Sequence, residues 1–166
     1  VVGIMNAINM LDNMDGIAAT VAAGILACAI VILYLQGNFT GFYAIVFVGV
    51  LAALLGFLFF NWYPSKMYMG DSGSQFLGAL LAFAGILLVW PQYRPANVAG
   101  FYLPQFVLPA VIFALPIIDT TTVFVYRLAR KQSPFTGGRD HTTHHLVYFG
   151  LTDKAVAGLA AIVSAL

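Results

Sequence analysis

Charge is what this sequence has least of. Only 8% of its 166 residues are charged, against 61% hydrophobic ones, where a soluble domain averages roughly 25% charged. The chain is therefore read as a membrane protein. Glutamate is missing altogether: the six acids are aspartates, at positions 12, 15, 71, 119, 140 and 153. That removes zinc-protease schemes in which the Glu of H-E-x-x-H acts as base. Cysteine occurs once, as Cys28 within an apolar run, so neither a disulfide framework nor a thiolate metal site is available. The net charge is +1 and no basic run carries interleaved aromatics, so nucleic acid is not an expected partner.

What the sequence does have is apolar length. Stretches 16–35, 42–60, 73–90 and 101–118 lack charge and are about long enough to span a bilayer, which takes roughly 17–25 residues. The last runs on apolar past Asp119 to Tyr126. A fifth begins at Ala155, and 1–11 reads as the end of an earlier helix. The expected fold is all-α: a polytopic transmembrane helix bundle with four complete spans and partial ones at both ends. It forms a single membrane domain over 1–166 and is expected to be the C-terminal portion of a larger protein. Gly24, Gly49, Gly56, Gly78 and Gly85 permit close helix packing, within the chain or in a homodimer.

Alternating spans place every connection by parity. Six of the seven Lys/Arg, all three histidines and five of the six aspartates share one side, which the positive-inside tendency makes cytoplasmic. Arg94 is opposite, and Asp119 sits inside the fourth span near its cytoplasmic end. Loops do collect polar residues, but that alone explains neither the one-sidedness nor the residue types.

Three cytoplasmic stretches carry candidate chemistry. In "NAINMLDNMDGIAAT" (6–20), Asn6, Asn9, Asp12 and Asp15 recur every third residue, which on a helix makes one polar stripe. Such oxygen ligands suit Mg²⁺, which takes few protein ligands and leaves room for substrate phosphates; a polar seam between helices is the equal alternative. In "NWYPSKMYMGDSGSQFLG" (61–78), Pro64 stops a span, Gly70 and Gly73 allow close backbone approach, and Ser72 or Ser74 can cap the next helix. Its free amides attract phosphate, and Asp71 can bind a bridging metal; an ordinary turn is the bland reading. In "GGRDHTTHHL" (137–146), Arg139, Asp140, His141, His144 and His145 share a loop. The HxxHH pattern is compatible with zinc, though without a thiolate or Glu partner. Arg139 and the imidazoles are otherwise donors to phosphate oxygens. Cation site, phosphate-binding turn and donor loop are the parts that phosphoryl transfer requires.

At these motifs the sequence resembles the polyprenyl-phosphate N-acetylhexosamine-1-phosphate transferase family. It is nearer the bacterial undecaprenyl-phosphate GlcNAc-1-phosphate branch than the phospho-MurNAc-pentapeptide branch. "NAINMLDNMDG", "YPSKMYMGDSGSQFLG" and "GGRDHTTHH" come in the family's order, and the likeness covers essentially the whole chain as the later half of such an enzyme. The resemblance implies transfer of a sugar-1-phosphate from a UDP-N-acetylhexosamine to a polyprenyl phosphate. The reaction would use Mg²⁺ (or Mn²⁺) at the cytoplasmic face of the inner membrane, release UMP and begin a cell-envelope polysaccharide. It further implies that Asp71 binds the metal with help from Asn9, and that Asp12 lies beside it on the same polar face. Asp15 would contact the uracil edge, Tyr68 would stack on the base, and Asn61 would line the nucleoside pocket. Arg139, His141, His144 and His145 would bind the diphosphate. Gly137-Gly138-Arg139 departs from the Pro-Asp-Arg of many relatives. The family's paired lipid-side aspartates lie upstream of Val1, so the 166 residues alone are expected to be inactive.

Two rival readings rest on single features. A transporter or permease would use Asp119 within "LPIIDTTTVF", in a span interrupted by Pro104, Pro109 and Pro116; the plainer expectation pairs Asp119 with Arg127 or neighbouring hydroxyls. A zinc-dependent intramembrane hydrolase would rest on the histidine cluster.

Overall fold

The structure is a computed structural model and describes residues 1–90, 102–133 and 141–165. All regular structure among them is helical: α1 (Val2–Leu11), α2 (Ile17–Leu35), α3 (Phe42–Asn61), α4 (Gly70–Ala84), α5 (Pro104–Ile112), α6 (Ala114–Ala129), α7 (Thr142–Tyr148) and α8 (Asp153–Ala165). A π-helical turn, Gly85–Val89, extends α4, and with it α4 forms a 20-residue apolar helix comparable to α2 and α3. Three helices are thus long and apolar enough to cross a membrane, and the chain is a multi-pass membrane protein.

One expectation changes, and one interruption announced by the prolines is located. The polar series from Asn6 to Asp15 is not one helical stripe, because α1 ends at Leu11 and Asp12 is its C-cap residue. Asn13 donates its side-chain amide to the Met10 carbonyl (3.0 Å), satisfying a helix-end carbonyl, and Gly16 turns left-handed at φ 75° to start α2. The fourth span is interrupted, as its prolines suggest: Gln105–Ile112 and Ala114–Ala129 meet at 78°. Proline chemistry accounts for the break. In a continuous helix Pro116 would forfeit the bond to Ile112 and clash with its carbonyl. With the chain turned at Phe113, Pro116 falls in the first turn of α6, where a missing N–H costs nothing.

Close approaches fix the packing. α1 lies against α4 and α6, and α2 against α3 and α8. A Cβ added at Gly78 would stand 2.7 Å from the Met5 Cα, one at Gly24 2.5 Å from the Ser164 Cβ, and one at Gly85 2.8 Å from the Phe113 ring. Around these notches Ile8, Ile17, Leu26, Phe47 and Leu81 are fully buried. Gly49 and Gly56, expected to serve packing, have nothing within 4 Å of a Cβ position. They lie on α3, which buries only 17% of its apolar window against the protein, compared with 56% for α2. The rest of α3 is apolar side chains such as Ile45, Leu55 and Phe59 turned outward, the surface a bilayer helix gives to hydrocarbon.

Candidate active site

Four helix ends and one short helix meet at one end of the bundle. The hinge between α1 and α2 is tied to the loop after α3 by Asn61, which is 3% exposed. Its carbonyl oxygen accepts the Gly16 N–H (3.1 Å) and its amide donates to the Met67 carbonyl (2.7 Å). Asp15 reaches the same loop: Oδ1 accepts the Ser65 hydroxyl and Oδ2 the Ser65 N–H, both at 3.0 Å. Asn61 and Asp15 therefore hold the loop in shape, and in this structure their polar atoms are engaged by protein. Tyr68, at the far end of that loop, is 75% exposed, with its ring face available.

Asp71 lies in the first turn of α4. The helix starts at Gly70, with φ of 68°, so Ser72 and Ser74 fall inside it and neither caps it. The expected serine cap is corrected accordingly: buried Ser74 bonds back to the Gly70 and Asp71 carbonyls (3.1 and 3.2 Å), a habit of serines within helices. Asn9 of α1 donates to Asp71 Oδ1 (3.2 Å) and to Ser74 Oγ (2.8 Å). The Gly78–Met5 approach brings α1 and α4 close enough for this contact. Asp12, one turn beyond Asn9, is pushed up to about 6 from 3.8, first by burial and then by the Asp71 charge.

The histidine segment docks on the same end. Thr143 donates its hydroxyl to Asn13 Oδ1 (2.9 Å). His141 is buried, with Nδ1 2.9 Å from Asp119 Oδ2, and the Thr142 N–H donates to Asp119 Oδ1 (2.8 Å). The expectation for Asp119 is corrected here: its oxygens go to α7 and the residue before it. The hydroxyl of Thr120 next to it is buried and has no partner among the described residues. An acid engaged in this way needs no transport role to explain it. His141 and His144 rings lie edge-on at 6.3 Å, and His145 lies between Tyr126 and Tyr148 at 5.7 and 6.1 Å. Arg139 and Asp140 lie outside the described residues.

Asn9, Asp12 and Asp71 thus come together, with Tyr68 on the loop leading to Asp71, and α7 is tied to the same hinge. Sequence reasoning missed Asn13, Ser65 and Thr143, and it read Ser74 as a cap instead of a partner of Asn9; these are the residues that join the stretches. The "DNMDG" turn carried a signal for Asn13, since such residues cap helix ends; nothing in the spacing of the other three marks a partner dozens of positions away.

Among the described residues no three His, Cys, Asp or Glu side chains converge to hold a metal, so HxxHH forms no zinc cage there. The Asn9–Asp12–Asp71 group is a different kind of donor set. Two carboxylates are close enough for one to hinder ionisation of the other, and the Asn9 amide is used toward Asp71 and Ser74, leaving its carbonyl end. Hard oxygens in small number fit Mg²⁺ or Mn²⁺, which retain waters and substrate oxygens.

Comparison with known proteins supplies relatives of the chain. The chain is 35% identical over 154 residues to a probable undecaprenyl-phosphate N-acetylglucosaminyl 1-phosphate transferase of Bacillus subtilis, covering 93% of the chain and 40% of that protein. It is 32% identical over 159 residues to a decaprenyl-phosphate N-acetylglucosaminephosphotransferase of Mycolicibacterium smegmatis (90% and 39%). It is 29% identical over 172 residues to a phospho-N-acetylmuramoyl-pentapeptide-transferase of Kosmotoga olearia (100% and 48%). The chain therefore spans less than half the length of these relatives. The profile of glycosyl transferase family 4 matches residues 1–89, more than half of the chain and the part that holds Asn9, Asp12 and Asp71, and the chain belongs to that family.

Proposed function

We propose that the full-length protein transfers N-acetylhexosamine-1-phosphate from a UDP-sugar to a polyprenyl phosphate, undecaprenyl phosphate in a bacterium. UMP is released at the cytoplasmic face of the inner membrane, as the first membrane step toward an envelope polysaccharide. The observation that carries this is the meeting of Asn9, Asp12 and Asp71 at one end of the bundle. The relatives' names supply the polyprenyl phosphate and the N-acetylglucosamine phosphate group.

In this reading Asp71 and Asn9 hold Mg²⁺, with Asp12 beside them. When bound, the cation neutralises charge on the diphosphate oxygens. Tyr68 stacks on the uracil, and Asp15 and Asn61 fix the loop that carries it. A lipid phosphate oxygen attacks the sugar-linked phosphorus, the bond to the bridging oxygen breaks, and that oxygen leaves with UMP. His141, His144, His145 and Arg139 donate to the diphosphate as charge develops, a role in which one donor is worth roughly 3 kcal/mol.

Asp71→Asn in the full-length protein tests the reading. UMP release from UDP-GlcNAc and undecaprenyl phosphate should be abolished while the variant stays in the membrane; undiminished release would overturn the assignment. A panel of UDP-sugars given to the unaltered protein identifies the acetamido sugar.

A further inference from the structure

Asp119 is, among the described residues, the buried acid that the transfer reaction leaves without a task. It is 3% exposed, lies on α6 just past the 78° bend, and its two oxygens meet two different groups. Oδ1 faces the Thr142 N–H at 2.8 Å and Oδ2 faces His141 Nδ1 at 2.9 Å. A backbone amide can only donate, so Oδ1 is an acceptor. The second oxygen of an ionised carboxylate is likewise an acceptor, so Nδ1 of His141 must bring the proton. We infer that Asp119 is a positioning residue that fixes His141 with its proton on Nδ1 and turns Nε2 outward from the pair.

The surroundings offer Asp119 no easy substitute. Leu115 and Ile118 of α6, Leu146 of α7 and Val156 of α8 line the same apolar cavity, about 100 Å³ in volume. The hydroxyls of Thr120 and Thr142 are buried and bond to nothing among the described residues. The carboxylate thus governs the ring's protonation pattern, and it also tethers α7 to α6 through the Thr142 amide. The mechanistic value of this placement rests on the reading of His141 as a diphosphate donor, whereas the placement itself does not.

Replacing the acid by its amide makes a sharp test. In Asp119→Asn the single carbonyl oxygen must serve the Thr142 N–H, and the NH₂ then faces His141. Nδ1 must accept, and the ring proton moves to Nε2. Thr142→Pro removes the competing amide. Proline is tolerated at the first helical position, and His141 already has the extended backbone (φ −73°, ψ 149°) required before proline. In Asp119→Asn/Thr142→Pro the carbonyl oxygen is released to face the ring, and the proton returns to Nδ1.

Nitrogen-15 NMR of histidine-labelled full-length protein in nanodiscs reads the proton directly, His141 being assigned by its loss in His141→Gln. The expected result is an Nδ1–H signal in the wild type, its loss in Asp119→Asn, and its return in the double variant and in Asp119→Glu. An Nδ1–H signal unchanged by Asp119→Asn, or absent from the wild type, would overturn the inference. Should Asp119→Asn fail to fold, the single Thr142→Pro variant must keep the Nδ1–H signal, and its loss there would count equally against the inference. UMP release measured in parallel falls and recovers with the signal if His141 serves the diphosphate. Activity indifferent to the tautomer would overturn that reading of His141 and leave the placement intact.

Discussion

Burial and the charge of Asp71 lift Asp12 to about 6, so its carboxyl binds a proton more tightly in the folded chain than in the unfolded one, where 3.8 applies. Its contribution to stability is therefore complete below about pH 4 and lost as the pH rises through about 6. With divalent cations chelated, the melting midpoint should decline across that window, and Asp12→Asn should flatten the decline. Added Mg²⁺ should flatten it in the wild type as well, because a bound cation favours the ionised pair, whereas in Asp12→Asn it should do little. A wild-type midpoint that rises over the same window, with Asp12→Asn making no difference to it, would contradict the raised carboxyl of Asp12. At this scale the sequence was informative because acids are scarce: with six in 166 residues, those near the spans' ends stand out. What stayed hidden is who holds whom. Asp15 with Ser65 and Asp119 with His141 are pairings across separate elements, and no local spacing encodes them.

Helices in this chain are set by where small residues allow approach. At Gly78 a Cβ would meet the Met5 backbone at 2.7 Å, and backbone cannot swing aside as a side-chain tip can. Gly78→Ala should destabilise the protein by about 1–3 kcal/mol through overpacking and weaken UMP release by moving Asn9 away from Asp71. Gly56→Ala, with open space around it, should be neutral or slightly stabilising, since alanine is the better helix former by about 1 kcal/mol. Thermal unfolding of the two variants in one detergent compares them; equal losses would refute the packing asymmetry. Should Gly56→Ala alone disturb the oligomeric state on sizing, a homodimer through α3 would be indicated. The spans were legible from uninterrupted apolar runs. The bend was half legible: three prolines announced an interruption, but only packing of Phe113 against Gly85 decided where the chain turns.

For the molecule as a whole, sidedness is the property on which the functional reading depends. Tyr68 and Phe149 are 75% and 83% exposed at the site end, while Phe39 lies in the short connection at the other. In a Cys28→Ser background, Tyr68→Cys and Phe149→Cys should react with a membrane-impermeant maleimide only after the cytoplasmic face is opened, and Phe39→Cys before it. Labelling of positions 68 and 149 from opposite faces would leave no shared pocket. In the sequence, the one-sided distribution of Lys and Arg carries the expectation of this topology.

The packing of Phe113 into the notch at Gly85 has a mechanical side. Gly85 lies about 22 Å along α4 from the site end, where the chain turns through 78° and then carries Asp119 up to the ring of His141. The buried imidazole of His141 is thus aimed from a contact farther down the bundle. A change in the angle between the two half-helices would therefore shift Asp119, and with it the ring it holds.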